Sequence, residues 1–160
     1  MFPDSIIKAA QCAQAHWTTY EDGKVESTVF SSVTLAQWAL ESSYGRFMPQ
    51  GSNNPFGIKA IDGEAFVVSW TQEFVEGKYV KVPQRFAWYA SLDQAFDAHA
   101  KLLATSHYYV KAQHDNNAEQ YAQDLTGIYA TDPNYGNKLI AIMRSATLTQ
   151  YDLKEEIRNG

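Results

Sequence analysis

The sequence predicts an α+β domain, mainly helical, with one small β-hairpin lobe. Three observations carry this. Apolar residues recur at helical spacing in several separate stretches. Between residues 66 and 86 the pattern switches to alternation around a Glu76-Gly77 turn. The 160 residues, 45% apolar and 19% charged, suffice for one folded core.

Pro3 opens the first helix, where Ile6, Ala10, Ala13 and Trp17 share a face. Residues 18–27 read as a polar connection, with Ser27 or Thr28 as cap of the second helix. That helix runs from about Val29 to Ser43, with Gly45 as its breaker. Val29, Val33, Ala36 and Leu40 form one stripe; Thr34, Gln37, Trp38 and Glu41 form its neighbour. A loop over residues 51–57 leads into a β-lobe at about 62–88. In the hairpin, Phe66, Val68, Trp70, Gln72 and Phe74 alternate with Val67, Ser69, Thr71, Glu73 and Val75. Ser91 and Gln94 form a capping box for a helix through Phe96, His99, Leu102 and Leu103. A helix from about Ala118 to Ile128 follows. Asp132 is then the cap, and Pro133 the first residue, of a last helix containing Leu139, Ile140, Ile142 and Met143. A lone hairpin is too small to stand by itself. It must lean on the helices, which leaves a groove between them.

Composition excludes several functions. A net charge of −5 argues against binding nucleic acid through phosphate neutralisation. Cys12 is the single cysteine, so no intrachain disulfide is possible. His16, His99, His107 and His114 form no HxH or HxxxH pair, so neither a metal site nor a cofactor is expected. No apolar run approaches the roughly 18 residues of a bilayer span. Residues 1–4 lack the features of a secretory signal. Ten Tyr, eight Phe and four Trp hint at a groove lined with aromatic faces, or simply at an aromatic core.

Three clusters carry chemistry: Ala36 to Gly45, Asn53 to Lys59, and Tyr129 to Tyr135. The first places the Glu41 carboxyl in the last turn of an apolar helix. The C-terminal end of a helix is already negative, and burial also disfavours charge, so this carboxyl is biased towards its protonated form. Glycosidic cleavage needs such a proton donor, together with stabilisation of an oxocarbenium-like centre. On the residues alone, Glu41 is either that acid or an ordinary helix-end acid. Glu73 is either a second carboxylate or a solvated strand residue. Tyr129 either lines a cleft or packs before a helix. Trp70, Trp88 and Tyr135 are stacking platforms or core; Trp38 reads as core.

These stretches, with residues 71–74 and 86–91, resemble the glucosaminidase family of peptidoglycan hydrolases, glycoside hydrolase family 73. That family includes the hydrolase domain of a flagellar rod protein and many autolysins. The resemblance runs from about Ser5 to Tyr151. It implies a lysozyme-like fold, one catalytic domain over residues 1–160, and endo-β-N-acetylglucosaminidase activity on peptidoglycan glycan strands. It also implies that Glu41 is the general acid, Glu73 the second carboxylate and Tyr129 a residue of the catalytic centre. Asn54 and Phe56 would shape the groove and, with Tyr44 and Tyr135, bind substrate. The chain departs from the family at Ser43-Tyr44, where Gly-Trp is frequent, and at Pro55, where Leu is.

The resemblance leaves three mechanisms open. Two carboxyls about 5–5.5 Å apart would retain configuration, and about 6.5–9.5 Å apart would invert it. The substrate's own acetamido group could instead act as nucleophile beside Glu41 and Tyr129. Alternative functions are a muramidase or lytic transglycosylase, and a catalytically silent glycan-binding or assembly module. The expected place of action is the bacterial wall or periplasm, reached through phage lysis, a secretion system or a larger protein. An injected toxin would require a cognate immunity protein that plugs the cleft.

Overall fold

The computed structural model describes residues 1–153. Its elements in order are α1 (Asp4–Trp17), β1 (Thr19–Glu21), β2 (Lys24–Ser27), α2 (Ser31–Ser42), β3 (Phe66–Val75), β4 (Lys78–Ala87), α3 (Leu92–Thr105), α4 (Val110–Gln113), α5 (Ala118–Gln123) and α6 (Tyr135–Ser145). Short 3-10 turns cover His107–Tyr109 and Leu148–Tyr151. The predicted α+β class and the long hairpin are both present. Glu76 (φ 50°) and Gly77 (φ 83°) form the tight turn that a two-residue hairpin loop requires.

α2 is the axis of the molecule. It packs against α1, α5, α6 and the final 3-10 turn. Of its twelve residues, only Leu40 and Glu41 escape full burial. A helix enclosed on nearly all sides can show solvent only one end, and here that end carries Glu41.

The start of α2 differs from the expectation. Neither Ser27 nor Thr28 caps it; Ser27 ends β2, and Phe30 holds the cap position without a side-chain bond. The first free amides are instead satisfied from remote parts of the chain. Gln14 Oε1 of α1 accepts from Ser31 N (3.1 Å), and Asp152 Oδ1 accepts from Ser32 N (2.7 Å). Burial of this helix end brings partners that local sequence does not reveal.

Three further boundaries are corrected. Residues 18–27 are not a plain connection but contain the hairpin β1–β2, turned at Asp22-Gly23, both at positive φ. The predicted helix over 118–128 stops at Gln123 and continues as turns. Asp132 does not cap α6, which begins at Tyr135 behind Asn134. The Asp132 carboxylate accepts from Asn134 N (2.8 Å) and pairs with Lys138, holding a turn ahead of the helix. By contrast, Ser91 does cap α3, accepting from Gln94 N, while Gln94 Oε1 accepts from Ala90 N.

Candidate active site

A groove of about 760 Å³ lies between the helical body and the hairpin. It is lined by Glu41, Gly57, Lys59, Thr71, Glu73, Tyr79, Tyr129, Thr131, Tyr135 and Lys138, among others. It therefore gathers the three residues predicted to be catalytic: Glu41 from the end of α2, Glu73 from β3, and Tyr129 from the segment before α6.

The end of α2 is built to release Glu41 into this space. Ser43 and Tyr44 follow it with φ of 50° and 61°, and Gly45 with φ of 82°. Tyr44 N returns to Ala39 O, and the Ser42 hydroxyl bonds Trp38 O, so the last carbonyls have partners. A β-carbon on Gly45 would lie 2.9 Å from the Trp38 ring, so glycine is required there for space as well as conformation.

Glu41 is exposed on its groove side but enclosed by protein elsewhere. This burial raises its carboxyl to about 7. A hydrogen bond from Tyr135 opposes the shift and the charge of Glu73 adds to it. Gly57 faces the carboxyl; a β-carbon there would make only ordinary contact with Glu41 Oε2 (3.6 Å), and it is the φ of 66° that favours glycine.

Tyr129 and Tyr135 stack in parallel, 5.9 Å apart, and burial holds both phenols well above their ordinary titration. Tyr129 donates to Phe56 O (2.7 Å). Tyr135 accepts from Gln37 Nε2 (2.9 Å), and Gln37 Oε1 meets His99 Nε2 (2.8 Å).

Glu73 sits on the hairpin face that looks inward, bonded to the Thr131 hydroxyl (3.1 Å) and paired with Lys59 (3.2 Å). Thr131 Oγ1 also accepts from Phe74 N (2.7 Å), so this one threonine fastens the lobe to the body.

Three predicted binding residues turn out differently. Asn54 is 1% exposed, and its amide is spent on the backbone of its own loop and of the end of β4. It donates to Ile58 O and Ala87 O and accepts from Phe56 N and Ile58 N. The Phe56 ring is fully buried against His99 and Phe96. Phe56 is part of the groove lining but has no exposed surface, and Asn54 is not part of the lining. Tyr44 is not part of the groove lining; it packs on Phe2 and Trp38. Tyr135 does line the groove. Trp70 is 69% exposed on the outer face of the lobe. Gln37, His99 and Thr131 were not singled out from sequence. The one available signal was that Gln37 shares a helical face with Glu41.

The fold and site define a lysozyme-like α+β domain with an acid in its groove. The chain belongs to the glucosaminidase family, described as mannosyl-glycoprotein endo-beta-N-acetylglucosaminidase, which matches residues 17–148. It is 38% identical over 133 residues to a probable N-acetylmuramidase of Lactococcus lactis, covering 78% of this chain and 30% of that protein. It is 31% identical over 131 residues to an exo-glucosaminidase of Bacillus subtilis, covering 78% of this chain and 46% of that protein. The chain thus spans less than half the length of these relatives. The crystal structure of the catalytic domain of a Listeria monocytogenes autolysin superposes with a TM-score of 0.70. It has 30% identity and covers 93% of this chain and 84% of that one.

Proposed function

We propose that this chain is a peptidoglycan hydrolase, an endo-β-N-acetylglucosaminidase that cleaves the bond after N-acetylglucosamine, with residues 1–160 as one catalytic domain. The observation that carries this is the Glu41 carboxyl opening into the groove from the end of an otherwise buried helix, where enclosure pushes it up to about 7. Such a group still holds its proton at near-neutral pH and can give it to the leaving glycosidic oxygen. Glu73 places negative charge in the same groove, where an oxocarbenium-like centre would develop. Tyr129 and Tyr135 form the wall beside the acid.

Site of action follows from substrate: the peptidoglycan of the bacterial wall. Among the described residues no helix is long and apolar enough to cross a membrane. An immunity protein, if the chain is an injected toxin, would have to cover Glu41 and the groove mouth.

A second reading, cleavage after N-acetylmuramic acid, is favoured by the name of the Lactococcus relative. One digestion separates the two. Murein treated with wild type, Glu41→Gln and Glu73→Gln is analysed by mass spectrometry. N-acetylglucosamine at the reducing end supports the first reading; N-acetylmuramic acid or its anhydro form supports the second. Binding without new reducing ends would leave a silent glycan-binding module. A fully active Glu41→Gln enzyme would remove Glu41 from the mechanism.

A further inference from the structure

Beneath the groove runs a line of hydrogen bonds that ends on the Tyr135 hydroxyl, and Tyr135 lines the groove together with Glu41. His99 is fully buried, stacked on the Phe56 ring at 4.1 Å, with Nε2 on Gln37 Oε1. Gln37, also fully buried, donates from Nε2 to the Tyr135 hydroxyl. Because Gln37 donates to the Tyr135 oxygen, the phenol's own proton is free to turn towards the groove, where Glu41 is its neighbour in the lining and feels it as a hydrogen-bond donor.

Such a chain has two possible polarities. In one, His99 carries its proton on Nε2 and donates to Gln37, Gln37 donates to Tyr135, and Tyr135 donates to Glu41. In the other every bond is reversed: His99 is protonated on Nδ1, the Gln37 amide is flipped, and Glu41 must donate to Tyr135. His99 Nδ1 has no partner among the described residues. The first polarity leaves a buried lone pair unsatisfied, whereas the second leaves a buried N–H unsatisfied. Orphaned buried N–H groups are the rarer case. Double protonation is also disfavoured, because burial lowers the imidazole to about 3. The first polarity prevails.

We propose that Gln37 and His99 are positioning residues that fix the Tyr135 hydroxyl as a donor to Glu41. This rests on Glu41 being the acid. When Glu41 has passed its proton to the leaving oxygen, it becomes a carboxylate in an enclosed site. A phenol already aimed at it stabilises that anion without any rearrangement. The network thus favours proton release, while enclosure keeps the acid protonated beforehand.

Two measurements on the full chain test this. The first is the 15N NMR signature of the His99 imidazole. It should show the neutral Nε2-protonated tautomer from pH 5 to 8; the Nδ1-protonated form would overturn the proposal. The second is the pH profile of kcat/KM for wild type, Gln37→Glu, Tyr135→Phe and the double variant. Glu at position 37 keeps the side-chain length and the His99 contact but accepts from Tyr135, turning its proton away from Glu41. It should lower kcat/KM about ten-fold, the worth of one hydrogen bond to a charged group, and move the basic limb to higher pH. Tyr135→Phe should do the same, and the double variant should match Tyr135→Phe. If Gln37→Glu shifts the limb equally with and without the Tyr135 hydroxyl, it acts by charge through space and the proposal fails. Glu41→Gln separates the two layers: if that variant keeps full activity, the acid assignment falls, while the His99 tautomer still reports on the polarity.

Discussion

The two acids of the groove occupy opposite kinds of structure. Glu41 ends a helix that is buried on almost every side and braced from beneath by Tyr135, Gln37 and His99. Glu73 rides on a two-stranded hairpin whose other face is open to solvent, and its partners are Thr131 and Lys59. The same residue type therefore meets enclosure in one place and a cation in the other. Enclosure favours the protonated carboxylic acid at Glu41. On the proposed reading, the proton donor sits on the enclosed floor and the second carboxyl on the lobe.

The largest effect is expected from Glu41→Gln. Removing a general acid costs about 10²–10⁴ in rate, read as reducing ends released from murein. The same variant tests the enclosure. The wild-type carboxyl is raised from 4.5 to about 7, so the folded state binds the proton more tightly than the unfolded chain does. That contribution to stability is fully present below pH 4.5 and is lost as pH rises to about 7. Tm of the variant should fall less than that of wild type over this interval, and wild-type kcat/KM should decline above about pH 7. Equal Tm slopes would mean that the carboxyl is not enclosed.

Glu73→Gln should act more weakly. A unit charge several ångströms away at an effective dielectric near 20 is worth about 2 kcal/mol, or roughly thirty-fold in rate. The pH profile gives an independent sign. The charge of Glu73 raises Glu41, so its removal should move the basic limb to lower pH. This is opposite in direction to Gln37→Glu. A limb that stays in place would make Glu73 a positional residue and not a source of field.

Thr131→Val removes the hydroxyl that joins Phe74 N and Glu73 to the body. Each bond contributes about 1 kcal/mol net, and both lie at an exposed rim. The expected result is a several-fold loss of kcat/KM with almost no change in Tm, and faster amide exchange confined to β3 and β4. A large fall in Tm would show that lobe and body are one cooperative unit.

How much of this was legible in sequence divides along the same line. The hairpin was readable because alternation and the Glu76-Gly77 turn are local signals. α2 was readable as a helix, and its acid as exceptional, because Glu41 interrupts an apolar stretch. What tertiary packing supplies could not be read. Ser31 and Ser32 are capped from Gln14 and Asp152, respectively 17 and 120 residues away in sequence. The bond between Gln37 and His99 likewise spans 62 residues. The family resemblance implies a substrate contact at Asn54, and nothing in the local sequence opposes it. Only the backbone around it shows that all of its hydrogen bonds are already used. The missed hairpin at 19–27 is different: Asp22-Gly23 is a strong turn signal, but its strands are too short and polar to show alternation.

The smallest expected effect concerns the junction between floor and groove. Ser43 closes α2 at φ 50°, ψ 54°, a conformation that costs a residue with a β-carbon about 1–2 kcal/mol. Glycine would relieve that strain but would lose more entropy on folding, by about 0.5–1 kcal/mol. Ser43→Gly should therefore stabilise by about 0.5 kcal/mol, raising Tm by roughly 1–2 °C for a domain of this size. The carbonyl of Ser43 that accepts from Arg46 Nε is retained, and the Ser43 side chain is not part of the groove lining. Activity should then stay within about two-fold of wild type, since no hydrogen bond to the groove is lost. If activity drops instead while Tm rises, rigidity at this turn is itself part of how Glu41 is aimed, and the floor's precision would extend one residue beyond the helix.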